Sequence, residues 1–303
     1  MPTSRSRGVT PIRIVVLGQS GQVATELQRR AKAANAHLTV LGREAADLSD
    51  PASAAAVLRG LIGNADAVIN AAAYTAVDRA EDEPDLARLV NADAPTALAR
   101  IAAHAGVPFL HVSTDYVFDG SGETGRSPDT PTAPLGIYGA TKADGEAGVR
   151  AAGGPHAILR TSWVFSAHGN NFVRTMLRLG ADRDALRVVA DQIGGPTPAT
   201  AIADALFVMA RDLIAERAPS GTWHFAGAPE VSWADFSRAI FDAADMDVAI
   251  TDIPSADYPT PARRPANSRL DCSATERAFG IVRPDWRAGL GQALRDLGIA
   301  RAA

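Results

Sequence analysis

The chain has 303 residues, 47% of them hydrophobic and 21% charged, with a formal charge of −4. That length supports an ample core in one large domain or two interleaved ones, and the slight negative charge with scattered arginines gives no electrostatic footprint for nucleic acid. No apolar run approaches the ~18–20 residues of a membrane span, so no membrane partner is expected; the single cysteine, Cys272, excludes an intramolecular disulfide and fits a reducing, cytoplasmic location.

Residues 1–11, MPTSRSRGVTP, are basic but no apolar core follows them, so they are expected to form a disordered leader rather than a secretion signal. IRIVVL (12–17) is short, β-branched and stopped by Gly18, as a buried parallel strand should be. Residues 21–34 read as a helix, HLTVL (37–41) as a second strand, and Pro51 opens another helix at a tolerated first-turn position. DAVINAAA (66–73) reads as the third strand, 84–106 as a helix kinked or broken at Pro95, and VPFLHVS (107–113) as the fourth strand. A helix over 136–152 and the strand HAILRTS (156–162) continue the alternation.

This strand–helix repetition predicts an α/β fold, a doubly wound, Rossmann-like parallel sheet. Beyond about residue 165 the pattern is less regular. LRVVA (186–190) and GTWHFAG (221–227) read as strands, and 197–217, 232–246 and 285–298 as helices. The expected organisation is a dinucleotide-binding domain over 12–165, to which later segments return, and a smaller, interleaved α/β substrate domain mainly over 166–303.

The turn G-Q-S-G-Q-V-A (18–24) joins the first strand to the first helix. Gly18 permits a tight turn, and Gly21 lets the backbone approach a pyrophosphate at the positive helix N-terminus, beside Gln22 and Val23. Ala24 takes the place of the third glycine. At the end of the second strand, where an acidic residue would favour NAD, the sequence has Leu41, Gly42 and Arg43; arginine can pair with a ribose 2′-phosphate. The expected cofactor is therefore NADPH, with NADH as the alternative, and Asp47 and Leu48 are expected near its adenine.

The chain has only two lysines against 28 arginines, and Lys142 lies four residues after Tyr138 on the predicted helix. That spacing turns both side chains toward one site. A nearby ammonium is expected to lower a phenol's pKa and make it a usable general acid–base. Lysine's compact, three-donor head also suits ribose hydroxyls better than arginine's planar fork. Thr114 ends the fourth strand, at the edge where open α/β sheets bind ligands, and can hydrogen-bond a carbonyl oxygen.

Together these residues resemble the extended short-chain dehydrogenase/reductase family, and within it the dTDP-4-dehydrorhamnose reductases. The segments GQSGQVATELQ (18–28), NAAAYTAVDRAEDEP (70–84), STDYVFDG (113–120), YGATKADGE (138–146), RTSWVF (160–165), GNNFVRTML (169–177), DQIGGPTPA (191–199) and YPTPARRPANSRL (258–270) occur in that family's order. The resemblance implies reduction of the 4-ketone of a dTDP-sugar by hydride from a reduced nicotinamide, with Tyr138 donating the proton, Lys142 holding the nicotinamide ribose and Thr114 orienting the ketone. It further implies that Ala72, Ala73, Tyr74 and Thr75 line the dinucleotide. Asp115, Tyr116 and Trp163 would lie beside the sugar nucleotide, and Arg263 and Arg264 would meet its diphosphate.

Some members of the family form a magnesium-bridged dimer through clustered glutamates. Here Glu26 stands near one of those positions, whereas Thr200 and Asp296 take the others. No essential metal is expected, and a homodimer stays open. Two other readings also stay open: a non-catalytic nucleotide-binding regulatory subunit on the same fold, and a sugar-nucleotide epimerase or dehydratase. A dehydratase would usually carry a glutamate where Tyr116 follows Asp115.

Overall fold

The computed structural model describes residues 10–299. Of the expected leader, residues 1–9 lie outside the described residues. Strand β1 (Ile12–Leu17) leads through the glycine turn into α1 (Gln22–Arg30), and β2 (Ala36–Leu41) leads to α2 (Pro51–Leu61). Asp50 caps α2 by accepting from the Ser53 N–H at 3.0 Å, with Pro51 in the first turn. Strand β3 (Ala67–Asn70) is followed by the short helices α3 (Val77–Asp82) and α4 (Pro84–Arg88), a π turn (Leu89–Asp93) and α5 (Ala94–His104). β4 (Phe109–Thr114), α6 (Ile137–Ala151) and β5 (His156–Thr161) complete the alternation.

These five strands and Gly221–His224 form one parallel sheet, ordered 221–224, β5, β4, β3, β1, β2. The direction of strand succession reverses between β1 and β3, the switch point where open α/β sheets take ligands at their carboxyl ends. One face is covered by α1 and the helix Ala199–Ile214, which pack together; the other by α2, α5 and α6. Residues beyond 165 thus supply both a strand and a covering helix to the sheet. A further apolar cluster, around Phe165, Phe236 and Trp286, joins the helices Phe172–Gly180, Trp233–Ala243 and Trp286–Asp296 to a parallel pair of strands, Ala185–Val189 and Ala249–Ile253.

Two expected boundaries move for identifiable reasons. The third strand stops at Asn70, not 73: the Ala71 N–H makes the last rung, to the Leu17 carbonyl where β1 ends, and the Ala72 N–H then turns to the Asn70 side chain. The break expected at Pro95 is a π turn immediately before it. Proline has no N–H to offer the carbonyl four residues back, that of Asn91. α6 meets that carbonyl at Gly145, where a Cβ would lie 2.1 Å from the oxygen.

Candidate active site

The carboxyl ends of β1 and β3 touch at the glycine turn. Gly18 has φ +105°, and a Cβ there would lie 3.2 Å from the Ala72 nitrogen, so both conformation and space require glycine. Gly21 is different: it precedes α1 with ordinary extended backbone, and a Cβ would meet nothing within 4 Å. Nothing in the chain itself requires a glycine at that position. No side chain caps α1, whose first turn carries no acidic residue. Its amides therefore suit an anionic group such as a pyrophosphate. The Gln22 side chain holds the Val164–Ser166 segment, donating to the Val164 carbonyl at 3.3 Å and accepting from Ser166 Oγ at 2.9 Å. Val23 is buried in the core, leaving only its backbone for a ligand.

Arg43 is exposed after β2, whereas the Asp47 carboxylate accepts from the Ser49 N–H at 2.9 Å and Leu48 packs into the core. Past β3, Ala72 and Ala73 are half-buried and Thr75 is exposed. Asn91, in the π turn, brackets Tyr74 by accepting from its N–H at 2.9 Å and donating to its carbonyl at 3.1 Å. The Tyr74 hydroxyl donates to Glu83 at 2.5 Å.

The approach of Tyr138 to Thr114 depends on how α6 is seated. Gly136, before the helix, has no side chain to cap it; Glu81 on α3 accepts from the Ile137 N–H at 2.9 Å instead. At Gly139 a Cβ would lie 2.1 Å from the Tyr116 carbonyl oxygen, so glycine lets α6 rest on the turn after β4. The rings of Tyr116 and Tyr138 then meet edge to face, 5.5 Å apart. The Thr114 hydroxyl accepts from the Tyr116 N–H and donates to Asp115 Oδ1, both at 3.2 Å, and lies in hydrogen-bond reach of the Tyr138 phenol.

The electrostatics differ from the expected acidified phenol. Burial pushes the Tyr138 phenol up to about 12; the Thr114 hydrogen bond pulls it down and the Asp115 charge adds to the rise. Lys142 does not lower it, because its own head points into the sheet and donates to the Val112 carbonyl at 2.7 Å. Burial brings the Lys142 ammonium down to about 8, opposed by Glu146 one turn further along α6. Asp115 is pushed up to about 6 by burial, against hydrogen bonds from Ser268 and Thr114. Its Oδ2 is buried and has no hydrogen-bond partner among the described residues.

The residues expected around a sugar nucleotide are placed unequally. Trp163 has φ +49° and stacks on Trp233 at 3.5 Å and 9°. The Arg264 fork is engaged by Asp78 in two hydrogen bonds of 3.0 and 2.8 Å, so it ties its loop to α3; Arg263 is exposed. Several residues that build the site were not singled out from the sequence. Glu81, Asn91, His111, Glu146 and Trp233 act through partners far along the chain. The available signals were polarity inside apolar strands, at Asn70 and His111, and the place of Glu81 and Glu146 within the family-like segments 70–84 and 138–146.

Glu26, His168 and Asp296 bring ligand-type atoms within 4.8 Å of one another. Arg29 already lies among them, 3.4 Å from Glu26 and 2.8 Å from Asp296, and hydrogen-bonded to His168. A guanidinium in that position supplies the positive charge and engages the oxygens that a divalent cation would need, so with Arg29 in place the set does not fit a bridging metal.

A family model described as the RmlD substrate binding domain matches residues 12–299. The chain is 44% identical over 281 residues to the dTDP-4-dehydrorhamnose reductase of Sinorhizobium fredii, covering 91% of this chain and 94% of that one. It is 38% identical over 294 residues to the Escherichia coli enzyme of the same name, covering 94% and 97%. Among solved structures, the Bacillus anthracis dTDP-4-dehydrorhamnose reductase in complex with NADP superposes with a TM-score of 0.88 at 31% identity, covering 95% of this chain and all of that one. The chain belongs to the dTDP-4-dehydrorhamnose reductase family.

Proposed function

We propose that the chain reduces the 4-keto group of dTDP-4-dehydro-L-rhamnose to the alcohol of dTDP-L-rhamnose, using NADPH. Identity to enzymes of that name along most of the chain supports the reaction, and the observation that carries the residue roles is that the Tyr138 phenol lies within reach of Thr114, with Lys142 one turn further along α6. The fold neighbours include a dTDP-glucose 4,6-dehydratase at 19% identity, which speaks for the shared fold alone.

When bound, NADPH supplies the hydride. Gly18, Gly21, Gln22 and Val23 would hold its pyrophosphate, Ala72–Thr75 would line the dinucleotide, and Arg43, exposed where β2 ends, would meet the 2′-phosphate. The reduced carbonyl becomes an alkoxide, a far stronger base than a phenolate. A phenol held near 12 stays protonated at neutral pH and still gives its proton downhill to that oxygen, so the raised value of Tyr138 suits an acid. The Thr114 hydroxyl orients the ketone oxygen. Lys142, an ammonium below about pH 8, lies one turn along the helix and would hold the ribose hydroxyls by turning its head from the Val112 carbonyl. Asp115 Oδ2, buried and without a hydrogen-bond partner among the described residues, is an acceptor for a sugar hydroxyl; Tyr116 and Trp163 wall the sugar, and Arg263 is the freer arginine for the diphosphate.

With NADPH and a dTDP-4-keto-6-deoxy sugar, cofactor oxidation should match alcohol formation one to one. Tight cofactor binding without turnover would favour a regulatory subunit instead. Arg43→Ala should raise the Michaelis constant for NADPH several-fold and leave that for NADH nearly unchanged; equal effects would remove Arg43 from the phosphate site. Because Arg29 supplies the cation of its acidic cluster, dialysis against a chelator should leave both turnover and the sedimentation profile unaltered. A change in either, reversed by magnesium, would restore the metal and with it a metal-bridged dimer.

A further inference from the structure

The buried polar groups behind Lys142 serve no step above. Asn70 ends β3, His111 lies in β4, and the sheet register sets them side by side. Both are completely buried, as is Lys142. Asn70 Nδ2 lies 3.1 Å from His111 Nδ1, and His111 Nε2 lies 3.2 Å from Lys142 Nζ. The far end is pinned by the Ala72 N–H, which donates to Asn70 Oδ1 at 3.2 Å.

We infer that Asn70 and His111 are positioning residues for Lys142: a hydrogen-bonded wire whose hydrogens reverse order when the lysine gains or loses its proton, and which thereby weakens its hold on that proton. The inference rests on the reading that Lys142 serves the reaction. A backbone N–H can only donate, so it favours the amide oxygen of Asn70 facing Ala72. The amide nitrogen then donates to Nδ1, which puts the imidazole's one hydrogen on Nε2, facing Lys142. A neutral amine accepts that hydrogen, whereas an ammonium opposes donor to donor. The ammonium is satisfied only with hydrogen on Nδ1 and the Asn70 amide turned over, which sets its nitrogen against the Ala72 N–H.

Imidazolium does not enter, because burial and the Lys142 charge hold His111 well below its ordinary value. The other titratable groups around Lys142 are Tyr138 one turn back on α6, Asp115 after β4, and Glu146 one turn on. The charge of Glu146 is matched by Arg160 from β5 at 2.6 Å and by Arg150 at 3.3 Å, and Ser113 donates to it at 2.7 Å.

Asn70→Asp tests the wire. A carboxylate accepts from both the Ala72 N–H and Nδ1–H, so it turns the Nε2 lone pair toward Lys142 and favours the ammonium. The alkaline limb of kcat/KM, expected near the Lys142 value of about 8, should move up by about one pH unit, a tenfold tighter hold on the proton. An unmoved limb in a folded variant would overturn the inference, since a merely structural asparagine would change stability and not the limb. Imidazole 15N spectra of the wild-type protein give a second measurement, with the His111 signals assigned by their loss in His111→Gln. His111 should pass from the Nδ1–H to the Nε2–H tautomer across the same pH range, and a single tautomer throughout would equally overturn the inference. This spectrum needs no turnover, so a wild-type protein that shows the switch yet reduces no sugar nucleotide would sink the reductase reading and leave the wire standing.

Discussion

Tyr138→Phe should lower turnover by about 10²–10⁴ while leaving NADPH affinity roughly unchanged. The substitution keeps the ring that meets Tyr116 edge to face and removes only the hydroxyl. Thr114 remains tied to the Tyr116 N–H and to Asp115, so the pocket wall should stay in place. What disappears is the proton waiting for the alkoxide, and water must replace it. Single-turnover kinetics together with a fluorescence titration of the cofactor would separate these effects. If binding and thermal stability fell along with turnover, Tyr138 would be a packing residue and the proposed acid would have to be sought elsewhere, with Asp115 the next candidate.

The second large effect concerns stability. Arg160→Met should cost about 3–5 kcal/mol, because it leaves the Glu146 carboxylate buried without its main partner. The pair is almost fully enclosed, at 3% and 0% side-chain exposure, with hydrogen bonds of 2.8 and 2.6 Å. Burial alone would raise the Glu146 carboxyl, but Arg160 outweighs it and the group is held below its ordinary value. A lowered folded value means that this stabilisation is present above the unfolded value of about 4.3 and is lost as pH falls through the folded one. In the variant burial acts with less opposition, so the carboxyl is raised and takes up a proton sooner. The destabilisation should therefore be largest at neutral pH and shrink toward pH 5, as urea unfolding at the two values would show. The double variant Arg160→Met, Glu146→Leu should recover most of the loss; if the single variant were as stable as the parent, the ion pair would contribute nothing.

The parallel sheet was legible because its strands are short apolar runs alternating with helical stretches, the first two closed by Gly18 and Gly42, a pattern that depends on neighbours along the chain. The glycine turn and the tyrosine–lysine spacing are equally local. Less legible were features that depend on distant partners. AAA (71–73) has the composition of a strand, but its partner β1 ends at Leu17 and the Ala72 amide turns to the Asn70 side chain. The helix Phe172–Gly180 and the strand Ala249–Ile253 went unseen, since both are built on contacts with the Trp233–Ala243 helix. Sequence spacing set Lys142 one turn from Tyr138 on the same helix, yet could not show that its head turns toward Val112 and His111. For the same reason Arg264 read as a diphosphate ligand: Asp78, which engages it, lies 186 residues away.

The late arrival of Gly221–His224 at the sheet has a consequence during synthesis. β5 leaves the ribosome about sixty residues before the strand that pairs with it, and at ~5–20 residues per second the wait lasts several seconds. Throughout that interval a nascent chain presents a bare, apolar β edge, the surface on which neighbouring polypeptides most readily add themselves. Yield in the cell should therefore depend on translation rate and chaperone supply more than the stability of the finished molecule would suggest.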